Sequence, residues 1–182
     1  MVDENLVKKE FVRNFENKLY SQRKLKKFSQ IVFLCVGTDK VIGDAVGPLI
    51  GSKLKNLFEN CNIYNINIYG SLEDNVNYIN VQNIINKIEK HHKDACLIVV
   101  DSALSKNENI GRIFVSNKKT ILGKGLNKNR VEIGDISIKV VVGKDLKIPK
   151  FNFKVLNEIS LRDILELSDT VASGIFEVIK YA

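Results

Sequence analysis

A run of six apolar residues at positions 31–36 is followed by a turn of glycines and aspartates and then by a helical pattern. The run has no polar alternation, which is typical of a strand buried on both faces of a parallel sheet. Gly47 and Gly51 fall on one face of the helix, and a face without side chains can lie close to a strand. Apolar residues recur every three or four positions on its core-facing side: Val46, Ile50, Leu54, Leu57 and Phe58. The pattern therefore predicts a strand, a turn and a buried helix.

Two aspartates stand where buried strands are predicted to end. Asp44 lies at the start of the helix, and Asp101 directly follows a second apolar run at positions 95–100. Open α/β sheets bind their ligands at the edge where the parallel strands end, so we expect Asp44 and Asp101 to face one cleft. A second interpretation of Asp44 stays open, because an aspartate at a helix start also caps backbone N–H groups and faces the positive end of the helix dipole.

The rest of the chain continues to alternate strand and helix patterns. The remaining predicted elements are a half-buried strand at 62–69, a helix at 76–90 capped by Asn75 or Asn77, a loop at 102–109, strands at 111–115 and 136–142, and a closing helix at 161–179. Strands that alternate with helices in this order are typical of a parallel sheet covered on both faces. The sequence therefore predicts a three-layer α/β/α sandwich with a mostly parallel central sheet.

The N-terminal segment predicts a surface helix at positions 5–27. Its apolar residues are four or five positions apart, as in a helix that docks on a domain, although an arm that reaches a partner is an alternative: Leu6, Phe11, Phe15, Leu19 and Tyr20. A chain of 182 residues with 45% hydrophobic side chains is long enough for one good core. We therefore divide it into a basic helical extension at 1–28 and a single α/β domain at 29–182.

Composition predicts the cellular compartment of the protein and the redox state of its cysteines. No apolar stretch approaches the roughly 20 residues of a membrane span, and the N-terminus lacks the apolar run of a signal peptide, so we expect a cytoplasmic protein without a membrane partner. The three cysteines, Cys35, Cys61 and Cys96, lack the spacing of metal ligands, and two of them lie inside apolar strand runs. We interpret them as reduced residues that pack as small hydrophobes.

The formal net charge of +7 raises the question of nucleic-acid binding. Lysine supplies 23 of the 28 basic residues, whereas arginine is the residue whose forked geometry reads guanine and clamps phosphate. Positions 1–27 hold eight basic and four acidic side chains, so more than half of the net charge lies in the N-terminal segment. We therefore expect no specific nucleic-acid partner.

Other nucleophiles and ligands in the chain lack the partners that their chemistry needs. Ser102 and Ser105 require a general base to act as nucleophiles, and neither histidine has a sequence relation to them. His91 and His92 follow the predicted helix at 76–90, without a third ligand spaced to join them. We expect neither serine catalysis nor a metal site, and no cofactor.

Several motifs resemble the YyaC-like sporulation proteins, which are short relatives of the spore germination protease. The motifs run in order from about residue 31 to the C-terminal helix: Gly37-Thr38-Asp39, Gly43-Asp44, Val46-Gly47-Pro48-Leu49, Tyr69-Gly70-Ser71-Leu72, Val100-Asp101 and Gly134-Asp135-Ile136. The resemblance implies the fold of the germination protease and of the hydrogenase-maturation proteases. In the germination protease, two aspartates thought to be catalytic fall on Asp44 and Asp101.

The resemblance implies a peptidase with these two aspartates as its catalytic pair. Around them we expect Thr38, Asp39, Gly43 and Ser102 as supporting residues. The implied substrate is a spore protein, such as the small acid-soluble spore proteins, in the mother cell or forespore. An oligomer is compatible with the sequence.

The chemistry expected of the pair is a shared proton. Two carboxyls within hydrogen-bond reach cannot both ionise cheaply, so one activates water while the other protonates or polarises the scissile carbonyl. The hydrogenase-maturation relatives instead bind nickel through an acidic residue that aligns with Ala45, which cannot ligate a metal.

The short length of the chain and an altered loop support an alternative function, since the family's Ala-Cys-Leu-Gly after the second aspartate is Ser102-Ala103-Leu104-Ser105 here. The family also has a histidine near Asn77 that is absent here, which removes one candidate for proton transfer or metal ligation. The alternative is a non-catalytic sporulation or protein-binding domain that keeps the protease fold.

Overall fold

A computed structural model describes residues 4–61, 63, 65–122 and 131–180. Its described helices are α1 (Glu4–Leu25), α2 (Val46–Asn60), α3 (Val81–His91), α4 (Pro149–Glu158) and α5 (Leu161–Lys180). Its described strands are β1 (Gln30–Cys35), β2 (Ile66–Tyr69), β3 (Ala95–Ser105), β4 (Ile113–Ser116), β5 (Thr120–Leu122), β6 (Val131–Ile133) and β7 (Ile136–Lys144). Among the described helices, none is long and apolar enough to cross a membrane.

The central sheet has five strands in the order β2-β1-β3-β7-β4. β1 pairs in parallel with both β2 and β3, and β3 pairs in parallel with β7. β4 is antiparallel to β7 at one edge, while β5 and β6 form a separate antiparallel pair. The predicted α/β fold with a mainly parallel sheet is confirmed.

Two layers cover the faces of the sheet. On one face, α1, α2 and α5 pack against alternate sheet residues such as Phe33, Ile98 and Ile138. On the other face, Ile85 and Ile88 of α3 join the β5–β6 pair against the intervening strand residues. The opposite faces of β3 are therefore buried in different clusters, which explains why its sequence shows no polar alternation.

α1 docks on the body of the protein through a narrower stripe than its sequence predicts. Phe11, Phe15 and Leu19 are buried in the core, but Leu6 and Tyr20 are each 61% exposed. Phe11 and Phe15 stack with ring centroids 5.9 Å apart, and the ring of Phe11 lies against the backbone of Gly174 in α5. The surface helix is therefore an integral part of the hydrophobic core.

The structure corrects two predicted boundaries. β3 continues to Ser105 where a loop was expected, because β7 runs beside it and pairs with it across a register shift between Ala103 and Leu104. α3 begins at Val81 rather than Val76, since Val76 instead forms a parallel bridge with Val36 of the first turn. Asn80 holds this turn, because its carboxamide oxygen accepts the N–H of Asn77.

Other predicted elements match the structure only in part. The strand predicted at 62–69 is the edge strand β2, and Asn62 and Tyr64 of that prediction lie outside the described residues. In the closing helix α5, Leu161 and Leu165 are exposed, whereas Ile164, Val171 and Ile175 are fully buried as expected. α4 and the β5–β6 pair were not predicted at all.

The glycines of α2 lie directly against the ends of two strands. A Cβ on Gly47 would lie 2.1 Å from the carbonyl oxygen of Val36, and one on Gly51 would lie 1.8 Å from the carbonyl oxygen of Gly70. Both contacts are with backbone atoms, which cannot rotate away as a flexible side chain can. The prediction that this glycine face lies against protein is confirmed.

We predict that Gly47→Ala lowers the free energy of unfolding by about 1–3 kcal/mol, because the added methyl group must push α2 away from β1. Chemical denaturation monitored by circular dichroism measures this change. Asn56→Ala is the matched control, since Asn56 is exposed on the same helix and its replacement raises helix propensity. A Gly47→Ala protein as stable as the wild type would contradict the close approach.

Candidate functional site

Asp44 is presented by a short 3-10 helix, Ile42–Asp44, between β1 and α2. Ala45, not Asp44, is the N-cap of α2, and no side chain hydrogen-bonds to the cap. The turn closes on itself because the N–H of Thr38 donates to the carbonyl oxygen of Asp44 at 3.2 Å. Gly37 permits this contact, since its φ is +148° and a Cβ there would lie 2.0 Å from the same carbonyl oxygen. The carboxylate of Asp44 is therefore left for contacts outside the helix.

α4 holds the short helix in place from the outside. A Cβ on Gly43 would lie 2.8 Å from the terminal methyl carbons of both Leu156 and Ile159. Gly43 is thus the surface on which the C-terminal end of α4 rests, immediately before Asp44 in the chain. The contact described for Gly43 is thus one of packing, and its supporting role stays a prediction.

Asp101 lies inside β3, one residue beyond the last position that β1 covers. Cys35, at the end of β1, pairs with Val100, and the N–H of Val36 donates to the carbonyl oxygen of Val100 at 2.8 Å. After Val36 the chain turns away from the sheet toward Asp44. β3 continues beside β7, so that Asp101 pairs with Lys139. The carboxyl group of Asp101 therefore lies where the sheet opens beside β1.

The neighbouring residue Ser102 connects the two aspartates. Its hydroxyl donates to Oδ1 of Asp44 at 3.3 Å, and side chains alternate along a strand, so Asp101 points to the other side of the sheet. The structure brings Asp44 and Ser102 into direct contact and places Asp101 within electrostatic reach of Asp44. Since β1 and β3 are adjacent strands, Asp44 and Asp101 both follow the last position at which these strands pair; that their carboxyls face one cleft stays a prediction.

Both carboxyl groups hold their protons more tightly than a free aspartate does. Burial raises the pKa of Asp44 to about 6, against the opposing effect of the Ser102 hydroxyl and the Thr38 backbone N–H. Burial, with the negative charge of Asp44 second, raises the pKa of Asp101 to about 7, and the Lys139 ammonium partly opposes that rise. At a pH between these two pKa values, Asp44 and Asp101 together hold about one proton.

Asp39 lies apart from this pair. It is exposed, and its Oδ1 accepts a hydrogen bond from Nδ2 of Asn75 at 2.9 Å. Thr38 in turn accepts the N–H of Lys40 through its hydroxyl oxygen at 3.3 Å. Asp39 therefore joins the β1–α2 turn to the loop before α3, and its described hydrogen bond is with Asn75 and not with Asp44.

His92 and Ser105 make structural contacts. His92 is hydrogen-bonded to the hydroxyl of Tyr69 through Nε2 and to the Gln30 side chain through Nδ1, each at 2.9 Å. Gln30 is the first residue of β1, at the opposite end of that strand from the turn that leads to Asp44. Ser105 accepts a hydrogen bond from Nδ2 of Asn109 at 3.0 Å, so its described partner is no base.

A nickel or zinc ion fits this donor set poorly. Among residues 4–61, 63, 65–122 and 131–180, no group of three or more histidine, cysteine, aspartate or glutamate side chains could hold one. Asp44 and Asp101 offer only carboxylate oxygens, whereas nickel and zinc sites draw on imidazole or thiolate ligands. The apolar Ala45 beside Asp44 adds no ligand.

Sequence reasoning missed two contributors to the site. Lys139 lies on the polar alternation of β7, but only the pairing of β3 with β7 shows that it stands beside Asp101. α4 contributes Leu156 and Ile159. In the sequence, Pro149 marks its first position, whereas the hydrogen bond that Asn152 donates to Asp145 is visible only in the structure. The positions of Lys139 and α4 at the site depend on strand register and long-range packing, which local sequence patterns do not specify.

Comparisons with known proteins agree with the fold and the resemblance. The structure is similar to that of HycI, a [NiFe] hydrogenase maturation protease from Thermococcus kodakarensis KOD1, with a TM-score of 0.56 over 83% of this chain and 92% of that chain. The two are 20% identical, so this likeness concerns the fold. The chain is also 32% identical to the uncharacterized protein YyaC of Bacillus subtilis strain 168 over 145 residues, which are 80% of this chain and 67% of YyaC.

The resemblance to YyaC-like proteins, first indicated by the glycine and aspartate motifs, is thereby confirmed. The family described as a protein of unknown function, DUF1256, matches residues 3–174 and so includes α1 together with the sheet and most of α5. The chain belongs to the DUF1256 family.

Proposed function

We propose that the protein is a peptidase in which Asp44 and Asp101 act together as a general base and a general acid. The observation that carries the proposal is the coupling of two carboxyls with raised pKa values at the edge where β1 leaves the sheet. Groups with shifted pKa values that converge at such an edge are typical of catalytic sites. The protease-like fold supports the same reaction class.

The two aspartates have different tasks in this mechanism. The Ser102 hydroxyl donates to Asp44, so Asp44 is the carboxylate that accepts a proton from the attacking water. Burial keeps Asp101 protonated, and it donates its proton to the scissile carbonyl oxygen as the tetrahedral intermediate forms. Collapse of the intermediate breaks the C–N bond, and the proton held by Asp44 passes to the leaving amine while the oxygen returns its proton to Asp101.

The surrounding residues keep the two carboxyls in different states. The Ser102 hydroxyl donates to Asp44 and favours its ionised form, whereas Asp101 is held neutral mainly by burial. Leu156 of α4 rests on Gly43 and limits the movement of the short helix that carries Asp44. This support keeps the base in position, which an acid–base mechanism requires.

We further propose a protein or peptide substrate in a sporulating or germinating cell, with the small acid-soluble spore proteins as the first candidates and the cytoplasm of the mother cell or forespore as the setting. The resemblance of the glycine and aspartate motifs to the YyaC-like sporulation proteins and the germination protease supports this extension. The similarity to YyaC supports the family relationship on which it rests.

A second candidate function is a non-catalytic protein-binding domain that retains the protease fold. The observation that favours it is Lys139, whose ammonium lowers the pKa of Asp101 and so favours its ionised form. A carboxylate that stays ionised cannot act as the acid. The two candidates therefore differ in whether Asp101 carries a proton in the folded protein.

We predict that Asp44→Asn and Asp101→Asn each reduce cleavage of small acid-soluble spore proteins by at least about 100-fold, because the amide cannot exchange the required proton. Cleavage is measured by gel electrophoresis and mass spectrometry of the products. Asp94→Asn is the control, since Asp94 is exposed in the loop before β3 and should leave cleavage unchanged. Cleavage retained after both aspartates are replaced would place the chemistry elsewhere.

The stability of these variants separates a catalytic effect from unfolding. Both carboxyls have folded-state pKa values above their ordinary value of 3.8, so their contribution to stability is fully present below about pH 4 and is lost as the pH rises through about 7. Each asparagine variant should therefore be at least as stable as the wild type at pH 8. A variant that unfolds at pH 8 would contradict the proposed electrostatics.

We predict a bell-shaped pH dependence of kcat/KM with its maximum between about 6 and 7. Activity falls as the pH drops through about 6, because Asp44 gains a proton, and falls as it rises through about 7, because Asp101 loses one. The measurement is initial cleavage rates from pH 4 to 9 with a fluorogenic peptide. An activity that keeps rising above pH 8, or one that EDTA abolishes and nickel restores, would contradict the mechanism.

A further inference from the structure

Three residues on adjacent strands form a row across the sheet, which we call the Asp101 row: Asp101 of β3, Lys139 of β7 and Phe114 of β4. Asp101 pairs with Lys139 in the parallel ladder, and Lys139 pairs with Phe114 in the antiparallel ladder. Paired residues on neighbouring strands point to the same face of a sheet. A carboxyl group, an ammonium group and an aromatic ring therefore lie side by side on one face.

The row is accessible, although the residues of β7 on either side of Lys139 on this face are covered. Lys139 is exposed and Phe114 is 45% exposed, whereas Asp101 is half-buried. In the preceding row, Ser137 is buried and its hydroxyl accepts a hydrogen bond from the hydroxyl of Thr120 on β5. In the following row, Val141 is 1% exposed. On β7 the accessible strip is thus one residue wide, at Lys139, and along its row it ends at Asp101.

The dimensions of this strip suit an extended peptide. Adjacent strands are about 4.8 Å apart, so the row spans about 10 Å from Asp101 to Phe114. Alternate side chains of an extended chain face the same way and repeat at about 6.7 Å. A peptide whose scissile carbonyl meets Asp101 therefore places one side chain near Lys139 and the next one on that side near Phe114.

The chemistry of the row selects the side chains that it can hold. The ammonium of Lys139 attracts a carboxylate, and the aromatic ring of Phe114 gains from contact with an apolar side chain. In the state proposed for catalysis Asp101 is neutral, so Lys139 has no ionised aspartate beside it in the row and its charge is available to the peptide. No ion pair involving Lys139 is present among the described residues.

We propose that the Asp101 row binds an extended peptide in which a Glu or Asp side chain pairs with Lys139 and a large apolar side chain, two positions away, covers Phe114. This inference rests on the proposed function, because it assigns the substrate side chains that lie next to the reacting bond. It makes Lys139 and Phe114 determinants of specificity outside the acid–base pair.

The test uses three ten-residue peptides that share one neutral sequence and differ only at its centre: Glu-Ala-Phe, Gln-Ala-Phe or Glu-Ala-Ala. Binding to the full wild-type chain is followed by NMR through the Phe114 ring and the Lys139 side chain. We expect the Glu-Ala-Phe peptide to bind about threefold more tightly than Gln-Ala-Phe, as a partly exposed ion pair allows. It should bind about tenfold more tightly than Glu-Ala-Ala, as burial of a phenyl ring allows.

Two variants test which residue causes the preference for Glu and which causes the preference for Phe. Lys139→Met should abolish the difference between the Glu and Gln peptides, while Phe114→Ala should abolish the difference between the Phe and Ala peptides. Lys118→Met is the matched control, since Lys118 is exposed beyond the end of β4 and its loss changes the net charge equally. High salt should also remove the Glu preference, because screening weakens an exposed ion pair.

The outcomes distinguish this inference from the peptidase proposal. Equal binding of the three peptides, no binding at millimolar concentration, or a Glu preference that survives in Lys139→Met would overturn the inference, even if the wild type cleaves protein in an Asp44-dependent manner. Selective binding that depends on Lys139 and Phe114 would support it, even if no peptide is cleaved. Binding is measured without turnover, so the peptidase proposal can fail independently.

Discussion

The close approach of α2 to the ends of β1 and β2 is the constraint on which the rest of the site depends. Gly47 and Gly51 bring the helix backbone against the carbonyl oxygens of Val36 and Gly70, where any side chain would collide. Because α2 lies so close, the short helix before it must turn tightly, and its last residue is Asp44. The turn directs Asp44 toward Ser102 of β3 instead of leaving it as a cap of α2. A packing constraint thereby places a carboxylate beside a neighbouring strand.

The electrostatics of the site oppose the stability that the packing provides. Two half-buried carboxyls that interact with each other make ionisation costly, and burial is the largest cause of both raised pKa values. Lys139, the backbone N–H of Ser102 and the donors to Asp44 partly compensate, and Lys139 remains exposed. Such an arrangement weakens the fold above neutral pH, which is expected where a site is tuned for proton transfer. The fold supports it through apolar contacts elsewhere, including those of α1 and of α4 on Gly43.

The sequence predicted the parts of this arrangement that local patterns encode. The glycine spacing in α2, the apolar runs before Asp44 and Asp101, and the helical stripe of α1 all correspond to the observed elements. The extension of β3 to Ser105 was missed because it depends on β7, a strand more than thirty residues away.

The remaining misses have the same origin. The role of Lys139 depends on register, which the alternation of β7 alone does not specify. α4 was missed because none of its residues is buried and it packs mainly through one end, so its apolar pattern is weak. The start of α3 was misplaced because Val76, which fits the helical spacing, bridges to Val36 instead. In each case a tertiary contact overrides or adds to the local preference.

The central claim is that Asp44 and Asp101 titrate as an interacting pair, and carboxyl-carbon NMR titration of the aspartates tests it most directly. In the wild type, Asp101 should titrate with an apparent pKa of about 7. In Asp44→Asn its pKa should fall, because the charge that raises it is gone, yet stay above the ordinary 3.8 because burial remains. An Asp101 that titrates near 3.8 in the wild type, or whose pKa does not change in Asp44→Asn, would contradict the account.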